Sequence, residues 1–182
     1  MTGRPEPDLS AVVVTVPAAE RVVARHRLRF DPAASWGVPA HVTVLYPFVH
    51  PSSIDADVVR RLGAAVAAVP VFDCTFSRCG WFDDDVLWLA PEPAAPFAEL
   101  TTAVWEAFPD HPPYAGAHPD VVPHLTVGQR PEASLEELVA VEAQVAPLLP
   151  VTTTAARVHL LAGSTAPGSW RVLRECPLGP AR

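Results

Sequence analysis

The stretch HVTVLYPF at residues 41–48 decides how this sequence folds, together with its echo VVPHLTVGQ at residues 121–129. Both are short and apolar, rich in β-branched residues, and bounded by Pro or Gly, which is the composition of a strand. Each carries one tetrad, His41-Val42-Thr43-Val44 in the first and His124-Leu125-Thr126-Val127 in the second. Side chains on a strand alternate faces with a period of two. His41 and Thr43 therefore share a face, as do His124 and Thr126, while Val42 and Leu125 point the other way, into a core. The two tetrads lie about half of the 182-residue chain apart.

Outward from the first tetrad, LSAVVVTV (9–16) predicts a strand and AAERVVARHRLR (18–29) a helix, with Pro17 ahead of its first turn. Residues 31–39 read as a loop, residues 53–69 as a second helix, and 72–82 with 86–91 as two strands joined by Asp83-Asp84-Asp85. Residues 94–108 predict a helix and the Pro-rich stretch 109–120 a loop. The second tetrad's strand follows despite Pro123, which suits an edge or a strand start. SLEELVAVEAQVAPLL (134–149) predicts a helix that Ser134 caps, with Glu137 completing a capping box. RVHLLAG and SWRVLRECPL are two final strands. Each half thus offers a His-x-Thr-x strand, a helix and a two-strand hairpin. The expectation is an α+β fold, one domain over 1–182, with two similar lobes of antiparallel sheet around a central cleft.

Composition narrows the chemistry. The chain is 49% hydrophobic and 18% charged, with a formal net charge of -7. All 13 basic residues are Arg. The absence of Lys removes Schiff-base catalysis and a Walker-type phosphate loop. An acidic chain is a poor partner for long duplex nucleic acid, which needs several phosphate contacts, but a local Arg and His pocket still suits a small anion. The three cysteines, Cys74, Cys79 and Cys176, form no C-x-x-C pair and read as reduced and buried. No apolar run is long enough to cross a membrane as a helix, and Met1 to Ser10 lack the pattern of a signal peptide. We expect a cytoplasmic monomer.

Two imidazoles and two hydroxyls around one cavity suit phosphodiester cleavage. One His removes a proton from the attacking water and the other protonates the leaving alkoxide. An unperturbed imidazole pKa of about 6.5 suits both tasks. The Thr hydroxyls donate to non-bridging phosphate oxygens. This chemistry needs no metal and no cofactor.

GVPAHVTVLYPF (37–48) and VPHLTVGQ (122–129) resemble the paired signatures of the two-histidine phosphoesterase superfamily, which includes 2'-5' RNA ligase-like proteins and RNA 2',3'-cyclic phosphodiesterases. GSWRVLRECPLG (168–179) resembles that family's closing strand. The resemblance implies a bilobal fold with His41, Thr43, His124 and Thr126 facing a groove. It also implies that His41 is the general acid and His124 the general base. The expected substrate is a small cyclic phosphate, a nucleotide or a short RNA end. Two other readings share the fold: a binder of nucleotides or RNA ends without turnover, and an ATP-independent 2'-5' RNA ligase.

Further residues near the motifs are candidates for substrate contact. Tyr46 shares strand parity with His41, Phe48 is placed to stack on a base, and Arg130 is placed to reach phosphate. Trp36 and Tyr114 lie in the loops before the two tetrads and suit a nucleobase platform. Arg27 and Arg29 read as a solvated face, and Asp83 to Asp85 as a solvated turn. His111, His118, Asp120 and His124 fit no zinc spacing, and no G-x-S-x-G elbow marks a Ser nucleophile.

Overall fold

The structure is a computed structural model that describes residues 6–117 and 120–181. Eight strands run in chain order with five helices: β1 (Leu9–Thr15), α1 (Pro17–Phe30), α2 (Pro32–Trp36), β2 (His41–Leu45), α3 (Ala56–Ala67), β3 (Phe72–Phe82), β4 (Val86–Glu92), α4 (Ala95–Ala107), β5 (Leu125–Gln129), α5 (Leu135–Val145), β6 (Val151–Ala155), β7 (Arg157–Gly163) and β8 (Arg171–Pro177). They form two four-stranded sheets, ordered β2-β1-β7-β8 and β5-β4-β3-β6, with every pairing antiparallel. No described helix is long and apolar enough to cross a membrane.

The lobes are not the two halves of the chain. The sheet that carries His41 takes β1 and β2 from the first half and β7 and β8 from the second. The helices are exchanged as well. Helix α1 follows β1 but packs on β5 of the other sheet, and α4 follows β4 but packs on β2. The repeated order of elements is real, yet each repeat is divided between the sheets. One continuous core results, with Val12, Val14, Val42 and Val44 of one sheet meeting Leu87, Leu89, Leu125 and Val127 of the other.

Strand alternation sets what faces the cleft. In β1, Val12 and Val14 enter that shared core, while Ala11 and Val13 join a smaller cluster with Val38, Leu161 and Trp170. Being covered on both faces explains why β1 is apolar throughout. Val13 pairs with Thr43 and Thr15 with His41, so the second face of β1 continues the tetrad's face of β2.

Three expectations need correction. Residues 31–39 are not all loop. Asp31 caps the short helix α2 by accepting from the Ala33 amide at 3.0 Å. Gly37 ends it at φ 100°, in the left-handed region that glycine tolerates. The second tetrad's strand begins at Leu125 rather than 121, because Pro123 has no N–H for the ladder. The segment VTTTA forms the strand β6, where the helical reading runs up to its edge. The helix before it stops at Val145 and passes into a 3-10 turn at Ala146–Leu148. Its start does carry the Ser134–Glu137 capping box.

Candidate active site

Strands β2 and β5 are edge strands of their own sheets, and they approach each other. His41 opens β2 and His124 stands immediately before β5. Both imidazoles are anchored in the same way. Nδ1 of His41 lies 2.7 Å from the Pro39 carbonyl oxygen, and Nδ1 of His124 lies 2.7 Å from the Val122 carbonyl oxygen. A carbonyl only accepts, so Nδ1 carries the proton in each neutral ring and Nε2 is the unprotonated nitrogen. The anchoring carbonyl is two residues upstream both times, a register that the tetrad alone does not announce.

His41, Thr43, His124 and Thr126 line one cavity of about 280 Å³. It opens into an outer cavity of about 580 Å³ that shares Tyr114, His124, Thr126 and Gln129 with it. Tyr46 and Trp36 line the inner cavity, and Tyr114 lines both. Tyr114 is tied to this wall twice, by its amide to the Tyr46 carbonyl at 2.6 Å and by its hydroxyl to Thr43. Asp83 and Asp85 do not simply cap a solvated turn, since both line the outer cavity.

Behind the inner cavity lies a buried ion pair that reverses the reading of Arg27 as solvated. Arg27 and Asp31 are 2% and 5% exposed, and Arg27 Nη2 lies 2.9 Å from Asp31 Oδ2. Arg27 Nε donates to the same oxygen at 3.0 Å, and both terminal nitrogens donate to the Val38 carbonyl at 3.3 Å. The signal is present in the helix spacing. Arg27 falls four residues after Val23 and three before Phe30, on the buried stripe of α1, with Asp31 one turn on. Arg29 is the solvated one, and it pairs with Glu137 at 3.0 Å. Asp31 also lines the inner cavity.

These surroundings set the proton affinities. Burial, with the Arg27 charge behind it, pushes His41 down to about 3. Burial lowers His124 as well, but its Val122 hydrogen bond and the Asp31 carboxylate pull the other way. Burial raises the Asp31 carboxyl, opposed chiefly by Arg27.

The walls around His124 are aromatic. The Phe82 ring lies 4.8 Å away at 89°, and Trp88 lies 6.1 Å away. Trp88 pairs across the strands with Thr126 and so shares the cleft face. Gly80 makes room for it, since a Cβ there would come within 2.6 Å of the indole. The buried Trp88 Nε1 has no hydrogen-bond partner among the described residues. Sequence reasoning misses both Phe82 and Trp88, because their link to His124 is cross-strand.

Two candidates sit elsewhere. Phe48 is 4% exposed and packs edge-on against Phe108 at 4.8 Å, so its face is closed to a base. Arg130 points to the hairpin turn, where it pairs with Asp85 at 3.3 Å, and it does not line either cavity. His111 lies beside Phe48, and His118 falls outside the described residues. Among the described residues no three His, Cys, Asp or Glu side chains gather as a metal site.

The sequence pattern of the 2'-5' RNA ligase superfamily matches residues 15–166. No curated protein matches the chain in sequence at a significant level. Among solved structures, Escherichia coli LigT complexed with 3'-AMP superposes with a TM-score of 0.60 at 20% identity, covering 95% of this chain and 99% of that one. LigT complexed with phosphate gives 0.56 at 18% identity, covering 96% and 99%. TT0787 of Thermus thermophilus gives 0.60 at 15% identity, covering 96% and 100%.

Proposed function

The chain belongs to the 2'-5' RNA ligase superfamily, and from that premise we propose that its cleft hydrolyses a cyclic or 2'-5' phosphodiester by acid-base catalysis between His41 and His124. The observation that carries this reading is the matched anchoring of the two rings. Each Nδ1–H is committed to a backbone carbonyl, so each Nε2 is available to one shared cavity. One Nε2 takes a proton from water as its oxygen attacks phosphorus. The bond to the leaving oxygen breaks, and the other imidazole, entering as imidazolium, gives that oxygen its proton. Thr43 and Thr126 hold the non-bridging oxygens as charge builds on them.

The charges around the cleft favour a small substrate. Arg27, the cation behind the inner cavity, is spent on Asp31 and Val38. Hydroxyls and imidazoles therefore meet the phosphate, and they suit one phosphodiester better than a long polyanion. Trp36, Tyr46 and Tyr114 supply aromatic surface beside it, as a nucleoside requires. The LigT complex with 3'-AMP supports a nucleotide ligand for this fold.

Assay of 2',3'-cyclic nucleotides, 2'-5' dinucleotides and an ADP-ribose cyclic phosphate tests the reading. Turnover of at least one, with loss on replacing either histidine, is the expected result. Tight binding of all without turnover would leave only a nucleotide-binding role.

A further inference from the structure

The two imidazole anchors are alike in length and unlike in the peptide that provides them. The carbonyl that holds His41 belongs to the Pro39–Ala40 peptide, which also carries the Ala40 amide. The carbonyl that holds His124 belongs to the Val122–Pro123 peptide, whose nitrogen has no hydrogen. The Ala40 amide donates to Glu20 Oε1 at 2.6 Å, and on the far side of the same planar group the Pro39 oxygen accepts from His41 Nδ1 at 2.7 Å. We propose that Glu20 is a positioning residue for His41: through the Pro39–Ala40 peptide its carboxylate holds the proton on Nδ1 and leaves Nε2 to the cleft. The catalytic consequence of this rests on the two-histidine hydrolysis above.

Glu20 stands in the first turn of α1, where the positive end of the helix favours an anion. It lines neither cleft cavity, so it acts from behind the histidine rather than on a substrate. Hydrogen bonds hold the flanks of the relay peptide still. Both terminal nitrogens of Arg27 donate to the Val38 carbonyl at 3.3 Å, and the Val38 amide donates to the Ala33 carbonyl at 2.9 Å. On the other flank the Ala40 carbonyl accepts from the Val16 amide at 2.8 Å. The peptide between them is fixed with its oxygen at His41 and its hydrogen at Glu20.

A carboxylate that accepts from a peptide N–H draws the group's resonance towards a more negative oxygen, which is then a stronger acceptor. Hydrogen bonds to an ionised acceptor are also the shorter and stronger ones. The bond made at one ring nitrogen of a histidine sets which nitrogen keeps the proton. Glu20 therefore acts on His41 as a carboxylate bonded directly to an imidazole does, with one peptide between them. His124 has no counterpart, because Pro123 removes the donor that such a relay needs. Satisfying the buried Ala40 amide is a structural task that any acceptor performs. Only a charged acceptor polarises the peptide, and that difference separates the two roles.

Three proteins test the relay: the intact chain, Glu20→Gln, which keeps an acceptor without the charge, and Glu20→Ala, which keeps neither. With ¹⁵N-labelled histidine, the ring nitrogen shifts report the tautomer of each neutral imidazole. Glu20→Ala is expected to lose part of the Nδ1–H tautomer at His41 and to leave His124 as it was. Glu20→Gln is expected to keep that tautomer while the His41 Nδ1 proton moves upfield, as its bond to the Pro39 oxygen weakens. On a 2',3'-cyclic nucleotide, Glu20→Ala should lower kcat on the order of tenfold with little change in KM, and Glu20→Gln should recover part of the loss.

An unchanged His41 Nδ1 proton in Glu20→Gln overturns the proposal, whether or not Glu20→Ala folds. So do equal changes at His41 and His124, which would mark a general loosening of the fold, and so does full kcat in Glu20→Ala where the intact protein turns over. Absence of turnover by the intact protein would overturn the hydrolysis reading instead, and the ring nitrogen shifts would still decide what Glu20 does to His41.

Discussion

The β2 and β5 ends of the cleft carry the same tetrad and treat it differently. Each presents a His and a Thr on one face, each ties Nδ1 to a carbonyl two residues upstream, and each sends the intervening aliphatic residues into the shared core. The difference lies in the surroundings of the rings. The Arg27 charge disfavours a cation at His41, while the Asp31 carboxylate favours one at His124, which also has aromatic rings around it. Repeated sequence thus supplies two imidazoles and two hydroxyls, and residues outside the repeat make the two ends unequal. An acid-base pair needs that inequality, because one partner must be neutral while the other is charged.

Replacing the histidines breaks the comparison most severely. His41→Ala and His124→Ala should each lower kcat by about 10²- to 10⁴-fold, the usual worth of a positioned acid or base. Both rings sit at the cleft rather than in the core, so circular dichroism and thermal unfolding should remain near those of the intact protein. Near-full activity in either variant would deny that end of the cleft a chemical role.

The hydroxyls should matter less. Thr43→Val and Thr126→Val each remove one hydrogen bond to a charged oxygen, about 1.5 to 3 kcal/mol, or roughly ten- to a hundredfold in rate. Steady-state kinetics on the best substrate measures this directly. A loss as large as that of the histidines would mean that Thr does more than hold phosphate.

A second pair of matched positions sharpens the comparison through packing. Each sheet has a glycine beneath a cleft-side tryptophan. A Cβ at Gly80 would lie 2.6 Å from Trp88, and one at Gly163 would lie 2.5 Å from Trp170. Gly80→Ala and Gly163→Ala should each destabilise the protein by about 1 to 3 kcal/mol through overpacking, read by denaturant unfolding. Trp88 touches His124, whereas Trp170 is tied to the Ser164 carbonyl at 2.9 Å. Gly80→Ala should therefore also lower kcat, and Gly163→Ala should lower it less. Equal kinetic effects would show that the aromatic wall does not tune His124.

The smallest expected effect is none. Activity should persist in excess EDTA, because the proposed chemistry runs on imidazole and hydroxyl alone. Loss under chelation that a divalent ion restores would replace the acid-base pair with a metal-assisted reaction.

Much of this is legible in the sequence because it depends on local periodicity. The His-x-Thr-x strands, the alternation that faces His41 and Thr43 into the cleft, and the Ser134 cap are all written within a few residues. The exchange of helices and hairpins between sheets is not, since it is a matter of long-range pairing. The same limit hides Trp88, which reaches His124 only through its register opposite Thr126. Arg27 is misplaced when its charge is allowed to outweigh its place on the apolar stripe of α1.

The most direct test of the two-histidine account is the pH dependence of hydrolysis by the intact protein. In the free protein burial lowers both imidazoles, His41 to about 3. The acid must be charged, so kcat/KM should fall with rising pH through a limb below the reference of about 6.5. A bound phosphodiester anion favours imidazolium, so the same limb in kcat should move to higher pH. Both limbs are macroscopic properties of the coupled pair. The account predicts these displaced profiles. A profile flat from about pH 5 to 9, with chemistry shown to limit the rate, would contradict it.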